Sequence, residues 1–344
     1  MQRNPIIDSS WCLRYFKVLV AVLLTVGCVA SFAGCGSSQS AMPEPTPSNV
    51  TVGFVGIGST QGEWAASSEK RTVAGLRSSG FTVKYFKATS LDPQRQVNAV
   101  TNFVKQKVSA IVITPQSTNM WTDTLVSVRH AGIPVILLGQ KPVSVKAYLY
   151  DSYIGPSGFS VGRKLADWVT NTAKITQADS AGQLKTLYFQ APLVSSFSSD
   201  VLHAYKAAST ALGDGVTAVV GSWDTQKATA IVKKAMNPFS TSGTSEDFPD
   251  IVIAGNSEMA QAVEKAAKEK GISLSDVPQK GSICVLGIGA ETSGDSVSSS
   301  VTWNGDYAER LGTTITTLVA GGSVQKDDAV TLTETDPRGD RSIG

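Results

Sequence analysis

At 344 residues with 17% charged side chains and a formal net charge of +2, the chain can bury two cores and carries no basic stripe that would suit nucleic acid. Four cysteines, spread from Cys12 to Cys284, are too few and too scattered for a disulfide-built fold. The remaining composition is that of an ordinary globular protein.

The first segment is a different material. Arg3, Arg14 and Lys17 precede the apolar run 18–33, the pattern of a cleaved export signal and shorter than a stable membrane span. The run ends in Phe32-Ala-Gly-Cys35, which resembles the lipobox of bacterial lipoproteins, where cleavage precedes a cysteine that carries the lipid. The usual leucine three places before that cysteine is Phe32 here, and a competing site at Cys28 would leave more apolar sequence on the mature end. A plain secretory signal with an incidental cysteine is the alternative. Residues 36–48 form a Pro/Ser-rich tether with almost nothing to bury. The expected organisation is therefore a signal peptide at 1–34 and a lipidated Cys35 with its tether at 35–49. Cleavage removes Arg3, Arg14, Lys17 and Asp8 from totals of 30 basic and 28 acidic residues, so the mature chain carries 27 of each. Cys12 and Cys28 leave with the signal, and Cys284 sits inside Ser-Ile-Cys-Val-Leu, where an inert buried thiol is expected.

From residue 50 the chain alternates. The β-branched run 50–58 predicts a buried strand, followed by a polar glycine-bearing turn at 59–63 and an Ala/Ser/Lys/Arg-rich helix to Ser79. Strands are expected at 82–86, 109–114 and 133–139. The helices between them fall at 94–107, with Val97, Val100, Phe103 and Val104 on one face, and at 118–131, with Trp121, Leu125 and Val128 at helical spacing. After an extended segment at 147–155 comes a helix at 158–171, with Phe159, Val161, Leu165, Trp168 and Val169 as its apolar set. A second series then places strands at 184–190, 216–221, 250–254 and 282–287 between helices near 198–212, 225–237 and 257–270. A surface loop is expected at 237–249, a helix at 307–320, a last strand at 330–334, and a polar tail thereafter. Two alternating series of similar size predict α/β architecture with two doubly wound parallel-sheet lobes, whose ligands sit beyond the carboxyl ends of the strands.

Several stretches, in this order and spacing, carry a family likeness. They include Thr51-Val-Gly-Phe-Val-Gly-Ile-Gly-Ser with Gly62-Glu-Trp-Ala-Ala66, Asp92-Pro-Gln-Arg-Gln-Val-Asn-Ala-Val100, and Val108-Ser-Ala-Ile-Val-Ile-Thr-Pro115 with Trp121. Further on come Ala131-Gly-Ile-Pro-Val135, Gly162-Arg-Lys-Leu-Ala-Asp-Trp168, Ser222-Trp-Asp224 and Gly255-Asn-Ser-Glu-Met-Ala260. The chain from 50 to 334 resembles the bacterial type I sugar-binding proteins, most of all the ribose- and galactofuranose-binding receptors. That resemblance implies two lobes joined by a three-segment hinge, one sugar bound in the cleft, and delivery to an ABC permease. It assigns 50–153 plus 304–325 to the N-terminal lobe and 154–303 plus 326–344 to the C-terminal lobe, with crossings at 153–158 and 300–305. The implied location is extracytoplasmic, held to the cell membrane through Cys35.

A sugar offers hydroxyls that need paired donors and acceptors and C–H patches that suit an aromatic face. By the resemblance, Trp64 and Trp223 match aromatic residues lining the cleft and Asn256 a hydroxyl-binding asparagine. Asn256 would equally serve as the cap of the helix starting at Ser257. The departures matter as much. Where the relatives carry Asp-Arg after the fourth strand, this chain has Gly139-Gln140; their arginine before a second-lobe helix falls on Val201; their Asn-Asp pair is Asn256-Ser257; and an aspartate falls near Gly289. A polar hinge residue falls near Thr302 or Trp303, and 287–303 is short. A charge-assisted hydrogen bond contributes about 1.5 to 3 kcal/mol, so losing several changes the ligand or the ability to bind. The expected ligand is small and neutral, a sugar or a deoxy, acylated or aryl derivative, held by Trp64, Gln140, Trp223, Asn256 and Trp303.

Other classes fit less well. Gly56-Ile-Gly58 followed by Gly62 misses the dinucleotide spacing by one residue, and the strand ending Phe86-Lys87-Ala88 lacks the acid that would hold a ribose. No nucleophile elbow appears, and His130 and His203 lack partners for base catalysis or metal binding. No enzyme activity, cofactor, metal or nucleic-acid partner is expected. A sensor or surface-interaction protein on the same fold, with a degenerate sugar site, is the remaining alternative. Trp121 and Trp168, at helical spacing, are expected in the core.

Overall fold

The computed structural model describes residues 46–173, 184–192, 196–209, 215–237, 248–289 and 297–335. The expected export signal, Cys35, most of the expected tether, the tail after 335 and much of the 237–249 loop and of the short 287–303 segment lie outside these residues.

The first sheet is built from β1 (Thr51–Gly56), β2 (Thr82–Lys87), β3 (Ala110–Ile113), β4 (Val135–Leu138) and β5 (Ser152–Gly155). Its order is β12-β5-β4-β3-β1-β2, where β12 is Asp327–Ala329, and every pairing is parallel. Parallel neighbours cannot be joined by a tight turn, so the chain returns through helices that cover both faces. On one face α2 (Pro93–Lys105) and α3 (Thr122–His130) bury Phe103, Leu125 and Val128 against Ile111, Ile113 and Leu137. On the other, α1 (Glu63–Ser78) and α8 (Ala308–Val319) bury Leu76, Leu311 and Ile315 against Val52, Phe54 and Ile136. Successive strand residues alternate between these two clusters, as period-two geometry requires.

Gln96 pins the point where strand order reverses. It is fully buried on α2, donates to the carbonyls of Gly56 (3.1 Å) and Thr114 (2.9 Å), and accepts from the Gln116 amide (2.9 Å). The ends of β1 and β3 are thereby tied together.

The second sheet contains β6 (Lys185–Gln190), β7 (Gly215–Val220), β8 (Ile251–Ala254), β10 (Ile283–Ile288), β11 (Ser299–Trp303) and β13 (Leu332–Thr335), in the order β13-β11-β10-β8-β6-β7. The short β9 (Leu274–Ser275) pairs with β10, and β13 alone runs antiparallel. The helices α4 (Gly158–Thr172) and α5 (Phe197–Ser209) cover one face; α6 (Thr225–Met236) and α7 (Ser257–Lys270) cover the other. These are two doubly wound α/β lobes. Trp121 and Trp168 are both in the core, the first with its indole N–H bonded to Ser117 O at 3.0 Å. His130 and His203 are both exposed.

Four sequence expectations change. The helix expected from 118 begins at Thr122. The extended 147–155 segment resolves into a 3-10 turn at Ala147–Leu149 and the buried strand β5, which confines the first crossing to 156–157. The second crossing narrows to 304–306, since Ser299–Trp303 is a strand of the second sheet. The strand expected at 330–334 is β13, and an unexpected strand, β12, precedes it on the other sheet. Residues 327–329, assigned to the C-terminal lobe, pair with Tyr153, Ile154 and Gly155 of the first sheet, and only β13 returns to the second. Between them, 330–331 form the third crossing.

Candidate ligand-binding site

The carboxyl ends of strands from both sheets face one cavity of about 210 Å³. Its walls come from the first lobe (Gln61, Gly62, Trp64, Ser68, Glu69, Thr114, Gly139, Gln140) and the second (Pro192, Phe197, Ser198, Trp223, Asn256, Glu258, Gly289), closed at the hinge by Pro156, Trp303 and Tyr307. All five sequence-derived candidates, Trp64, Gln140, Trp223, Asn256 and Trp303, line it together.

Trp303 is the centre of an aromatic wall. It ends β11, packs against a core cluster of each lobe, and meets Trp64 edge-on at 5.6 Å and Phe197 at 6.1 Å between ring centroids. Its indole N–H donates to the Tyr307 hydroxyl at 3.1 Å. Trp64 enters from the first turn of α1, whose N-cap residue Gly62 has φ of 91°, a backbone state that L side chains avoid.

The polar groups are mostly engaged within the protein. Gln140 donates to Gln61 Oε1. Asn256 caps α7 by accepting the Met259 amide at 2.8 Å, and its amide donates to Ser222 O at 3.1 Å. The capping alternative for Asn256 thus describes its observed bonds, leaving one lone pair and one hydrogen of the side chain uncommitted. The Ser68 hydroxyl donates to the Gly305 carbonyl.

Sequence reasoning missed Phe197, Tyr307, Glu69 and Glu258. Glu69 is buried on α1; its Oε2 accepts the amides of Ile57 (2.9 Å) and Gly58 (3.1 Å), and its Oε1 accepts the Tyr85 hydroxyl. Burial raises its pKa from the ordinary 4.5, opposed by the hydrogen bonds from Tyr85, Ile57 and Gly58 and by the Lys87 charge. Val201, matched to the relatives' arginine, does not reach the cavity. It is fully buried between α5 and α4, and the residues of α5 that face the cavity are Phe197 and Ser198, one turn earlier. Gly139 and Gly289 line the cavity without side chains. Among the described lining residues the charged groups are Glu69 and Glu258, with no Lys, Arg or His. No cluster of His, Cys, Asp and Glu suited to a metal occurs among the described residues.

The periplasmic binding protein domain family matches residues 52–294. The chain belongs to that family. This periplasmic binding protein is similar to the fructose import binding protein FruE of Bifidobacterium longum, 25% identical over 269 residues, covering 74% of this chain and 76% of that one. It is 30% identical over 142 residues to the galactofuranose-binding protein YtfQ of Escherichia coli, covering 41% and 42%. Among solved structures, a Mycobacterium smegmatis protein in complex with β-D-fucofuranose has a TM-score of 0.71 at 19% identity, covering 84% of this chain and 92% of that one. The arabinose-transporter binding component of Shewanella sp. ANA-3, bound to L-arabinofuranose, has a TM-score of 0.70 at 20% identity, covering 84% and 92%. These likenesses establish the type I two-lobed fold, and the family is one of substrate-binding proteins, not of enzymes.

Proposed function

We infer that this periplasmic binding protein is the extracytoplasmic, membrane-anchored receptor of an ABC importer and holds a small neutral sugar, or a deoxy, acylated or aryl derivative, between its lobes. The observation that carries the reading is the cavity itself: an aromatic wall of Trp64, Trp303 and Phe197, with carboxylates and no cationic side chain among its described lining residues. An aromatic face suits the C–H side of a sugar ring, and a cavity without Lys, Arg or His offers an anion nothing to offset its desolvation. The sugar-binding relatives and neighbours support the substrate class. The lipid anchor rests on Phe32-Ala-Gly-Cys35 and the tether behind it. An acyl-bearing Cys35 would keep the receptor beside its permease.

A thermal-shift screen tests the reading, because a ligand that binds only the folded state raises the melting temperature. Neutral sugars, including D-fucose, L-arabinose, D-fructose and D-galactose, are expected to supply the largest shifts; a larger shift with glucuronate or galacturonate counts against it. Intact-mass analysis of membrane-extracted protein tests the anchor, with an unmodified Cys35 as the contrary result.

A further inference from the structure

Two helices bring their amino ends to the cavity from opposite lobes. Gly62, Trp64 and Ala65 supply the start of α1, and Asn256, Ser257 and Glu258 the start of α7. Aligned peptide dipoles leave each such end with a partial positive charge, which favours an anion placed against it. The two ends are finished differently. Asn256 caps α7 by accepting the Met259 amide at 2.8 Å, whereas the N-cap of α1 is Gly62, which has no side chain to accept from the first-turn amides.

Glu258 stands where the two ends meet. It lies in the first turn of α7, and its Oε1 comes so close to Gly62 across the cleft that a Cβ there would be 3.2 Å away, tighter than ordinary van der Waals contact. One carboxylate therefore serves the positive end of its own helix and that of a helix on the other lobe. The second acid of the wall is placed otherwise. Glu69 gives its oxygens to the Ile57 and Gly58 amides and the Tyr85 hydroxyl, so its charge is matched within the first lobe. Among the described lining residues no Lys, Arg or His offsets Glu258.

We propose that Glu258 sets the charge selectivity of the cavity: the protein supplies its own carboxylate to the two helix ends, and that fixed charge turns away anionic ligands such as sugar acids. This rests on the sugar reading above and deepens it by naming the residue that separates a neutral sugar from its acid. The role requires no hydrogen bond from Glu258 to the ligand. A cavity of about 210 Å³ keeps a ligand carboxylate within roughly one Debye length of Glu258, about 10 Å at 0.1 M salt, so the repulsion persists in ordinary buffers.

The test is calorimetric titration with D-galactose against D-galacturonate and D-glucose against D-glucuronate, pairs that differ only in a neutral or an anionic sixth carbon. The quantity read is the preference for the neutral member. In Glu258→Gln that preference should fall about 3- to 30-fold, the repulsion being lost and the helix ends left open to a ligand anion. Glu269→Gln removes the same charge near the far end of α7, where Glu269 pairs with Lys233 at 2.9 Å outside the cavity, and should keep the wild-type preference. A second readout needs no variant. Raising the salt from about 0.05 M to about 1 M, where the Debye length is about 3 Å, should narrow the wild-type preference. Neutral sugars binding with the preference unchanged in Glu258→Gln, or changed equally in Glu269→Gln, would overturn the proposal and leave the sugar reading standing. A Glu258→Gln protein that melts like the wild type yet binds no sugar would also overturn it, because Glu258 would then hold the ligand directly. If the wild-type protein binds none of these sugars, or binds the acids more tightly, the sugar reading fails and the proposal falls with it.

Discussion

Tyr85 on β2 donates its hydroxyl hydrogen to Oε1 of Glu69 on α1, while Oε2 of the same carboxylate takes the amides of Ile57 and Gly58 beyond the end of β1. One side chain thus ties strand β2, the turn after β1 and the helix that carries Trp64. Glu69→Ala strands three donors, two of them backbone groups, and should cost about 2 to 4 kcal/mol by chemical denaturation. Glu69→Gln keeps the shape and should cost less.

The same carboxylate gives a pH signature. Burial raises its folded-state pKa above the ordinary 4.5, so between these values the folded state holds the proton more tightly than the unfolded chain. The stability this contributes is fully present below 4.5 and is lost as pH rises through the folded-state value. Wild-type stability relative to Glu69→Gln should therefore fall on raising the pH from the acid side towards neutrality. A constant difference over that range would exclude the assignment.

Cys284 should be chemically silent in the native state. It is fully buried on β10, and burial pushes its thiol from 9.0 up to about 12, against a lowering by a hydrogen bond with Ser298. The thiolate is the reactive form, so a maleimide should not label Cys284 at neutral pH until denaturant is added. Because the folded pKa lies above the unfolded one, this group's stabilisation is lost as pH rises from about 9 through about 12. Cys284→Ala should lack that loss and show a flatter stability profile in alkali.

Trp303 should govern how the lobes move. Its ring packs on a core of each lobe and on Trp64 and Phe197, and it stands beside the 304–306 crossing. Trp303→Ala should cost roughly 2 to 4 kcal/mol, less than a fully enclosed tryptophan because one side faces the cavity. Small-angle scattering should show a broader distribution of lobe separations in the variant, and wild-type protein saturated with a confirmed sugar should contract. Unchanged profiles in both experiments would remove Trp303 from the hinge.

The alternation of buried strand and helix was legible because each β-branched run of β1, β3, β4, β8 and β10 is short, apolar and bounded by polar or glycine-bearing turns. Trp121 and Trp168 declared themselves as core by helical spacing. The partners of β12 and β13 were not legible, since Asp327–Ala329 has a polar, exposed edge whose sheet is decided only by pairing with Tyr153–Gly155. Glu69 was hidden for another reason. In a helix rich in Ser, Lys and Arg a glutamate looks like part of a solvated face, and only the folded turn brings two amides and a phenol to it. Val201 misled by one helical turn: positions 197 and 201 share a face of α5, but 197, at the start of the helix, reaches the cavity while 201, one turn further along, is buried in the α4 contact.

Gly305 provides the most local test of the aromatic wall. A Cβ built there would lie 2.8 Å from Trp64 Cζ2 and 2.7 Å from Ser68 Oγ, too close for either to stay in place. The Gly305 carbonyl is meanwhile held by the Ser68 hydroxyl, so the crossing cannot easily retreat. Gly305→Ala should therefore displace the Trp64 ring, lowering the melting temperature and weakening sugar binding together. Cζ2 belongs to the six-membered ring of the indole, and Trp64→Phe removes that atom. If the clash with Trp64 is the cause, Gly305→Ala should cost less in a Trp64→Phe background than in the wild type, a coupling of about 0.5 to 3 kcal/mol for residues in contact. Strict additivity of the two substitutions would place the strain in Ser68 and the backbone instead, and would separate Trp64 from the packing of the 304–306 crossing.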